Sequence, residues 1–234
     1  MSKQNTTMRI LIVFFYILIS TQVSAQPDHL KGKTNSEIAT YYINYLKTGA
    51  LYVRLFTKSR KIAILKNAGN IAAAEKVKND QFKTNLSIVA AFRSAFTFCQ
   101  VYFFYSDDSK YILSEEIDSI KFLNDSLEYT PHIKPIKQFL VAEFSIVRED
   151  TAKNFAGYSI DYQKDSTNTL YQNKQYAGGT NMSFGALVIK SPQLVQLSKP
   201  FPYYTRNLAT LPFVRRSHFR VVTIMNSKLN DFLY

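Results

Sequence analysis

The sequence predicts an α/β fold tending to α+β: a mixed β-sheet with an N-terminal βαβ unit, a long helix on one face and a C-terminal helix. Three observations lead there. Two strand-forming runs, ALYVRLF (50–56) and FCQVYFFY (98–105), flank one long stretch of helical period. Strands joined by a helical crossover pair in parallel, with a right-handed connection. The later strong runs, QFLVAEFSIV (138–147) and FGALVIK (184–190), are separated by polar alternating segments of the hairpin kind. Finally, SHFRVVTIMNSKLNDFLY puts Phe219, Val222, Met225, Leu229 and Phe232 on one helical stripe.

Residues 1–25 are expected to be a secretory signal. Lys3 and Arg9 supply a positive start, Ile10 to Ile19 are unbroken apolar sequence, and STQVSA sets Val23 and Ala25 where a signal peptidase reads. That apolar run is too short to span a bilayer, and no later stretch is long and apolar enough. No Cys follows the cleavage point to carry a lipid. The alternative is an uncleaved anchor. Cleavage would leave Gln26 at the start of a single α/β domain over 26–234, opening with the loose polar leader QPDHLKGKTN (26–35).

SEIATYYINYLK (36–47) follows as a helix capped by Asn35 or Ser36, with Ile38, Tyr41, Tyr42 and Tyr45 on one face and Gly49 ending it. Beyond the first strand, KSRKIAILKNAG (58–69) is a short helix closed by Gly69. Asn70 caps the long helix within 71–97. Its apolar series is Phe82, Leu86, Val89 and Phe96, with Arg93 filling the gap, while Lys76, Lys78 and Lys83 face solvent. The strand at 98–105 is apolar on both faces, as a central strand covered by two layers requires. A short strand SIKFLN (119–124) and the Pro-containing loop YTPHIKP (129–135) precede 138–147. GYSIDYQ (157–163) and TLYQNKQYA (169–177) form a hairpin, and QLVQL (193–197) continues the strand at 184–190 past Pro192.

Composition narrows the function classes. The single Cys, Cys99, excludes an internal disulfide and two-thiol redox chemistry, and its setting before QVYFFY suits a small buried residue better than a nucleophile. The 16 Tyr and 18 Phe come with no Trp, so many hydroxyls should sit at the rim of the core. Charge is segregated: residues 45–97 and 166–234 are strongly basic, whereas 98–165 are net acidic. A basic balance suits nucleic acid, an anionic membrane surface or an acidic polymer, and equally solubility alone; an exported protein rarely meets nucleic acid, so no nucleic-acid partner is expected.

The segments GALYVRLFTKSRKIAILKNAG, FCQVYFFYSDDS, FLVAEFS and GGTNMSFGALVIKSPQLVQLSKPFPYYTR together resemble a family of uncharacterised exported bacterial proteins. The resemblance covers nearly all of the mature chain. It implies export, periplasmic or extracellular, and a single domain; it brings no activity and no catalytic residue.

Three features are candidate sites. Asp107 and Asp108 stand just past the strand at 98–105, where ligands gather in parallel sheets. With Ser106 and Ser109 they offer oxygen ligands to Mg²⁺ or Ca²⁺, to be completed by Glu115, Glu116 or Asp118. Equally, SDDS is a turn. Glu143 in an apolar strand is a general acid, faces the polar side of an edge strand, or pairs with an Arg such as Arg54. His29, His132 and His218 share no zinc spacing, and YAGGTNMSFG (176–185) lacks the spacing and Lys of a phosphate loop, so no cofactor is expected. KPFPYYTRNLATLPFVRRSHFR (199–220) interleaves Pro and aromatics with arginines and contains no acid. Its Tyr203, Tyr204, Arg206, Arg215 and Arg216 are the residue types of binding hot spots, or else they brace a crossing loop. The expected function is accordingly a non-catalytic binding or assembly module of the envelope, its partner an anionic envelope component or another protein. The alternative is a metal-assisted hydrolase or transferase using Asp107 and Asp108.

Overall fold

The computed structural model describes residues 30–131, 133–147, 184–208 and 214–233, together with the backbone of 158–164 and 170–176. The expected signal segment, His132, the hairpin turn and most of YAGGTNMSFG lie outside the described residues. Contacts divide the chain into two units, Met1–Thr34 and Asn35–Tyr234. In the first, the Lys33 N–H donates to the Leu30 carbonyl at 3.3 Å across a turn in which Gly32 has φ +78. The second unit holds the sheet. No helix among the described residues is long and apolar enough to cross a membrane.

The second unit runs α1 (Asn35–Thr48), β1 (Ala50–Leu55), α2 (Ser59–Asn67), α3 (Ile71–Ala95) and β2 (Gln100–Tyr105). A 3₁₀ turn at Ser106–Asp108 leads into α4 (Ser109–Leu113) and then β3 (Phe122–Leu123). There follow β4 (Phe139–Ile146), β5 (Tyr158–Lys164), β6 (Leu170–Tyr176), β7 (Gly185–Lys190), β8 (Tyr204–Arg206) and α5 (His218–Leu233). One sheet has the order β3-β2-β1-β4-β7-β8, while β5 and β6 form a separate antiparallel hairpin. β1 lies between β2 and β4 and parallel to both, in register from Ala50↔Gln100 to Leu55↔Tyr105 on one side and from Ala50↔Phe139 on the other. β3, β7 and β8 add antiparallel pairings. The mixed α/β sheet and its opening βαβ unit are therefore as expected. QLVQL is not a strand; it contributes one bridge, Lys190↔Gln196.

Alternation along each strand divides the core in two. On one face Ala50, Tyr52, Phe104, Phe139 and Val141 pack with Ile112, Ile120 and Phe122. Tyr52 stacks on Phe139 with centroids 4.3 Å apart and donates its hydroxyl to the Ile136 carbonyl at 2.8 Å. Helices α1, α3 and α5 cover the other face. Phe92 of α3 meets Phe103 at 6.2 Å, Thr205 donates to Met225 Sδ of α5 at 3.9 Å, and Phe201 joins Tyr42 of α1 to Phe232 of α5.

The helical stripes are rotated from their expected positions. In α1 the buried residues are Ala39, Tyr42, Ile43 and Leu46, leaving Ile38, Tyr41 and Tyr45 partly exposed. In α3 they include Ala74, Gln81, Asn85, Ile88, Val89 and Phe92, and Phe82 is 48% exposed. The cause is polar: Gln81 donates to Asn85 at 2.9 Å, and Asn85 Nδ2 donates to the Phe56 carbonyl at 2.9 Å. Two amides thus occupy core positions because they satisfy each other and the end of β1. Phe219 of α5 is likewise exposed, with Val221 buried instead. The ends follow ordinary chemistry. Gly69 takes φ +75, and Asn70 Oδ1 accepts the Ala73 N–H at 3.2 Å, starting α3. Gly49 must lack a side chain, because a Cβ there would collide with the Gln138 carbonyl and lie 2.9 Å from the Tyr45 carbonyl.

At the centre of the sheet Glu143, 2% exposed, accepts from Arg54 Nη1 at 2.8 Å and from Lys190 Nζ at 2.6 Å. Arg54 comes from β1 and Lys190 from β7, the two strands that flank β4. Burial pushes the Glu143 carboxyl up, but Lys190 and then Arg54 outweigh it and hold the group below its usual value. With the folded pKa below the unfolded one, this contribution is complete above the unfolded pKa and disappears as pH falls through the folded pKa. Glu143→Gln should cost about 3 kcal/mol at neutral pH by leaving two cations unpaired. In denaturant melts, the gap from the unsubstituted chain should narrow as pH drops below the ordinary glutamate value of 4.5.

Candidate functional site

β8 is an edge strand, and its pairing decides where its polar groups point. The Ile189 N–H donates to the Tyr203 carbonyl at 2.7 Å and the Asn207 N–H to the Gly185 carbonyl at 3.1 Å. Residues 203, 205 and 207 therefore turn their backbone toward β7, and 204 and 206 turn theirs outward. The outward carbonyls meet cations: Lys228 Nζ donates to the Tyr204 carbonyl at 3.0 Å, and Arg216 Nη1 to the Arg206 carbonyl at 3.2 Å. The Arg216 N–H also donates to the Asn207 carbonyl at 2.9 Å, tying the start of α5 to the strand.

Aromatic rings lie under these charges. The Arg206 guanidinium stands 4.0 Å from the Phe184 ring centroid, Phe184 is 5.5 Å from Tyr204, and Lys228 Nζ is 5.5 Å from the Tyr204 centroid. Burial lowers the Lys228 pKa first, and the charges of Arg216, Arg206 and Lys199 lower it further. Four cations thus share one neighbourhood. The single acid of residues 199–233, Asp231, accepts from Ser227 Oγ at 3.4 Å. Such a surface attracts anions at long range through charge, and the rings offer contact at short range.

The residues singled out in 199–220 have unequal positions. Tyr203 is buried and packs edge-on against Tyr204 at 4.8 Å, whereas Tyr204 is half-buried. Arg206 and Arg215 are exposed and Arg216 is half-buried. Residues 209–213 lie outside the described residues. Lys228 and Phe184 join the cluster without having been expected there. Lys228 stands a full helix away in sequence, and only the pairing of β7 with β8 brings Phe184 beside it.

The acids past β2 separate. Asp107 Oδ1 accepts from Thr57 Oγ1 at 2.8 Å and Ser59 Oγ at 3.3 Å, which binds it to the loop after β1. Asp108 Oδ2 instead accepts the Lys121 N–H at 3.3 Å, ahead of β3. Among the described residues, no three His, Cys, Asp or Glu side chains converge. Glu115 and Asp118 line a different place, a cleft of about 330 Å³ shared with Tyr45, Ile112, Lys137 and Phe139. Its lining includes no Ser, Thr, Cys or His.

Two potential nucleophiles have structural settings. Ser87 Oγ lies 2.9 Å from His218 Nδ1, while the imidazole packs against Phe144 with centroids 4.8 Å apart. Burial and then Arg215 hold His218 below its ordinary pKa, so the neutral ring links α3 to α5. Burial pushes the Cys99 thiol up to about 12, only partly offset by Lys47 and the Leu51 backbone, so the reactive thiolate is scarce.

The divergence of the two aspartates sets an expectation for metal. Asp107→Ala should lower stability by about 0.5–1.5 kcal/mol through its lost hydrogen bonds. Thermal melts should show the same loss in chelator and in excess Mg²⁺ or Ca²⁺. A metal-dependent melting shift that Asp107→Asn abolishes would instead make this a cation site. Compared with protein families, with curated proteins and with solved structures, the chain matches none.

Proposed function

We propose that this protein is an exported, non-catalytic binding module of the cell envelope, holding an anionic partner against the basic edge of β8 and the start of α5. The observation that carries the reading is the convergence of Arg206, Arg216, Lys199 and Lys228 about Tyr204 and Phe184. An arriving anion would replace the repulsion that Arg216, Arg206 and Lys199 exert on Lys228 with attraction. The metal-assisted hydrolase has less support, since Asp107 and Asp108 serve different loops. Export rests on the apolar run Ile10 to Ile19 ahead of STQVSA.

Arg206 and Arg215 are the exposed cations to remove, because Arg216 also holds the Arg206 carbonyl. The double substitution Arg206→Ala/Arg215→Ala should slow association with phosphatidylglycerol vesicles or an acidic polysaccharide and flatten its salt dependence. Such charges act over a Debye length of about 8 Å at physiological ionic strength. Folding should change by no more than about 1 kcal/mol, the lost Arg206–Phe184 contact included. Unaltered binding by a normally stable double variant would end the reading. For export, mass spectrometry of the protein recovered outside the cytoplasm should give a chain beginning at Gln26. A membrane-embedded chain retaining Met1 would refute it.

A further inference from the structure

We propose that α2 and the first half of α3 form a membrane-surface anchor that docks the carboxyl end of the sheet onto an anionic bilayer. This rests on the reading that the partner is an anionic envelope component and names that partner as a lipid surface. The geometry starts from Asn85, whose amide donates to the Phe56 carbonyl, one residue past the end of β1. Of residues 71–84 of α3, which precede that contact, only Ala74 and Gln81 are buried. α2 leaves the same end of β1, buries no residue, and meets α3 through the Lys66–Glu75 ion pair at 3.4 Å. The two helices together make an arm at this end of β1.

Ile64, Ile71 and Phe82 on this arm are 59%, 54% and 48% exposed. Ile71 and Phe82, eleven residues apart, point within about 20° of each other around the helix. Lys78 lies between them on the same face, and the acid on that face, Glu75, is the one paired with Lys66. Residues 58–83 carry seven basic and two acidic side chains. Other exposed apolar residues belong to the same end. Ile146 finishes β4 opposite Gly185, whose partner Asn207 accepts the Arg216 N–H beside Val214 and Phe219.

Lipid fits this chemistry better than a protein groove. Protein interfaces favour Arg and aromatic residues and are depleted in Lys. Here six of the seven cations are Lys: Lys58, Lys61, Lys66, Lys76, Lys78 and Lys83, with Arg60. Long ammonium side chains can reach phosphate headgroups while the apolar residues beside them enter the acyl boundary.

The chain has no Trp, so one substitution gives one reporter. The experiment uses the mature chain with vesicles of phosphatidylcholine alone or phosphatidylcholine with phosphatidylglycerol. Phe82→Trp should shift its emission to the blue and become protected from an aqueous quencher on the phosphatidylglycerol vesicles only. Leu113→Trp, in the cleft beside Tyr45 and Phe139, should not shift. Phe82→Ser should weaken cosedimentation several-fold without lowering the melting temperature. An unshifted Phe82→Trp on vesicles that bind the protein overturns the anchor, as does the absence of any cosedimentation or an equal shift on phosphatidylcholine alone. If Arg206→Ala/Arg215→Ala abolishes cosedimentation while Phe82→Trp stays unshifted, the anchor fails and the basic edge stands. If the double variant binds normally and Phe82→Trp shifts, the edge fails and the anchor stands.

Discussion

One ionic clasp, Arg54–Glu143–Lys190, fixes the middle of the sheet. A carboxylate so deeply buried requires partners close at hand, because desolvation costs more than a distant charge returns. The partners come from β1 on the parallel side and β7 on the antiparallel side, so the clasp spans the junction between the two halves. Slipping either strand by one residue would move its cation to the opposite face and strand Glu143 among apolar groups. Registry then passes from β7 to β8, and β8 determines which carbonyls meet Lys228 and Arg216.

The interior clasp and the outer basic cluster have the same components in different proportions. At Glu143 two cations share one acid, and the acid's pKa is drawn down. At Lys228 the neighbours that shape the titration are cations, and it is the ammonium whose pKa is drawn down. The first arrangement is electrically complete apart from one net positive charge, and it sits where solvent barely reaches. The second leaves its positive potential near the surface.

The strands β1, β2, β4 and β7 were legible because aromatic and β-branched runs mark them, whereas β8 was not expected and QLVQL was misread as a strand; Gly69–Asn70 marked the junction of α2 and α3. Arg54 was a legible partner for Glu143, since both strands were expected in the core. Lys190 was hidden, because its meeting with Glu143 depends on the order of strands in the sheet. The helix faces were misread where polarity and burial part company. Gln81 and Asn85 are amides in the core, and Phe82 is a ring in solvent, so a count of apolar residues rotates the helix. At the candidate site, the unusual composition of 199–220 was visible, but not that Tyr203 turns inward or that Lys228 reaches across from α5. Those facts come from the alternation of one short strand and the packing of one helix.

The two boundary strands of the large sheet have a wider consequence. β3 offers only Phe122–Leu123 and β8 only Tyr204–Arg206, and on β8 both outward carbonyls are already held by cationic side chains. Strand addition needs a run of unoccupied donors and acceptors along such a border. This border is too short and too fully engaged to template an incoming strand. Substitutions of the side chains along this border can therefore change its charge while leaving the pairing of the sheet intact.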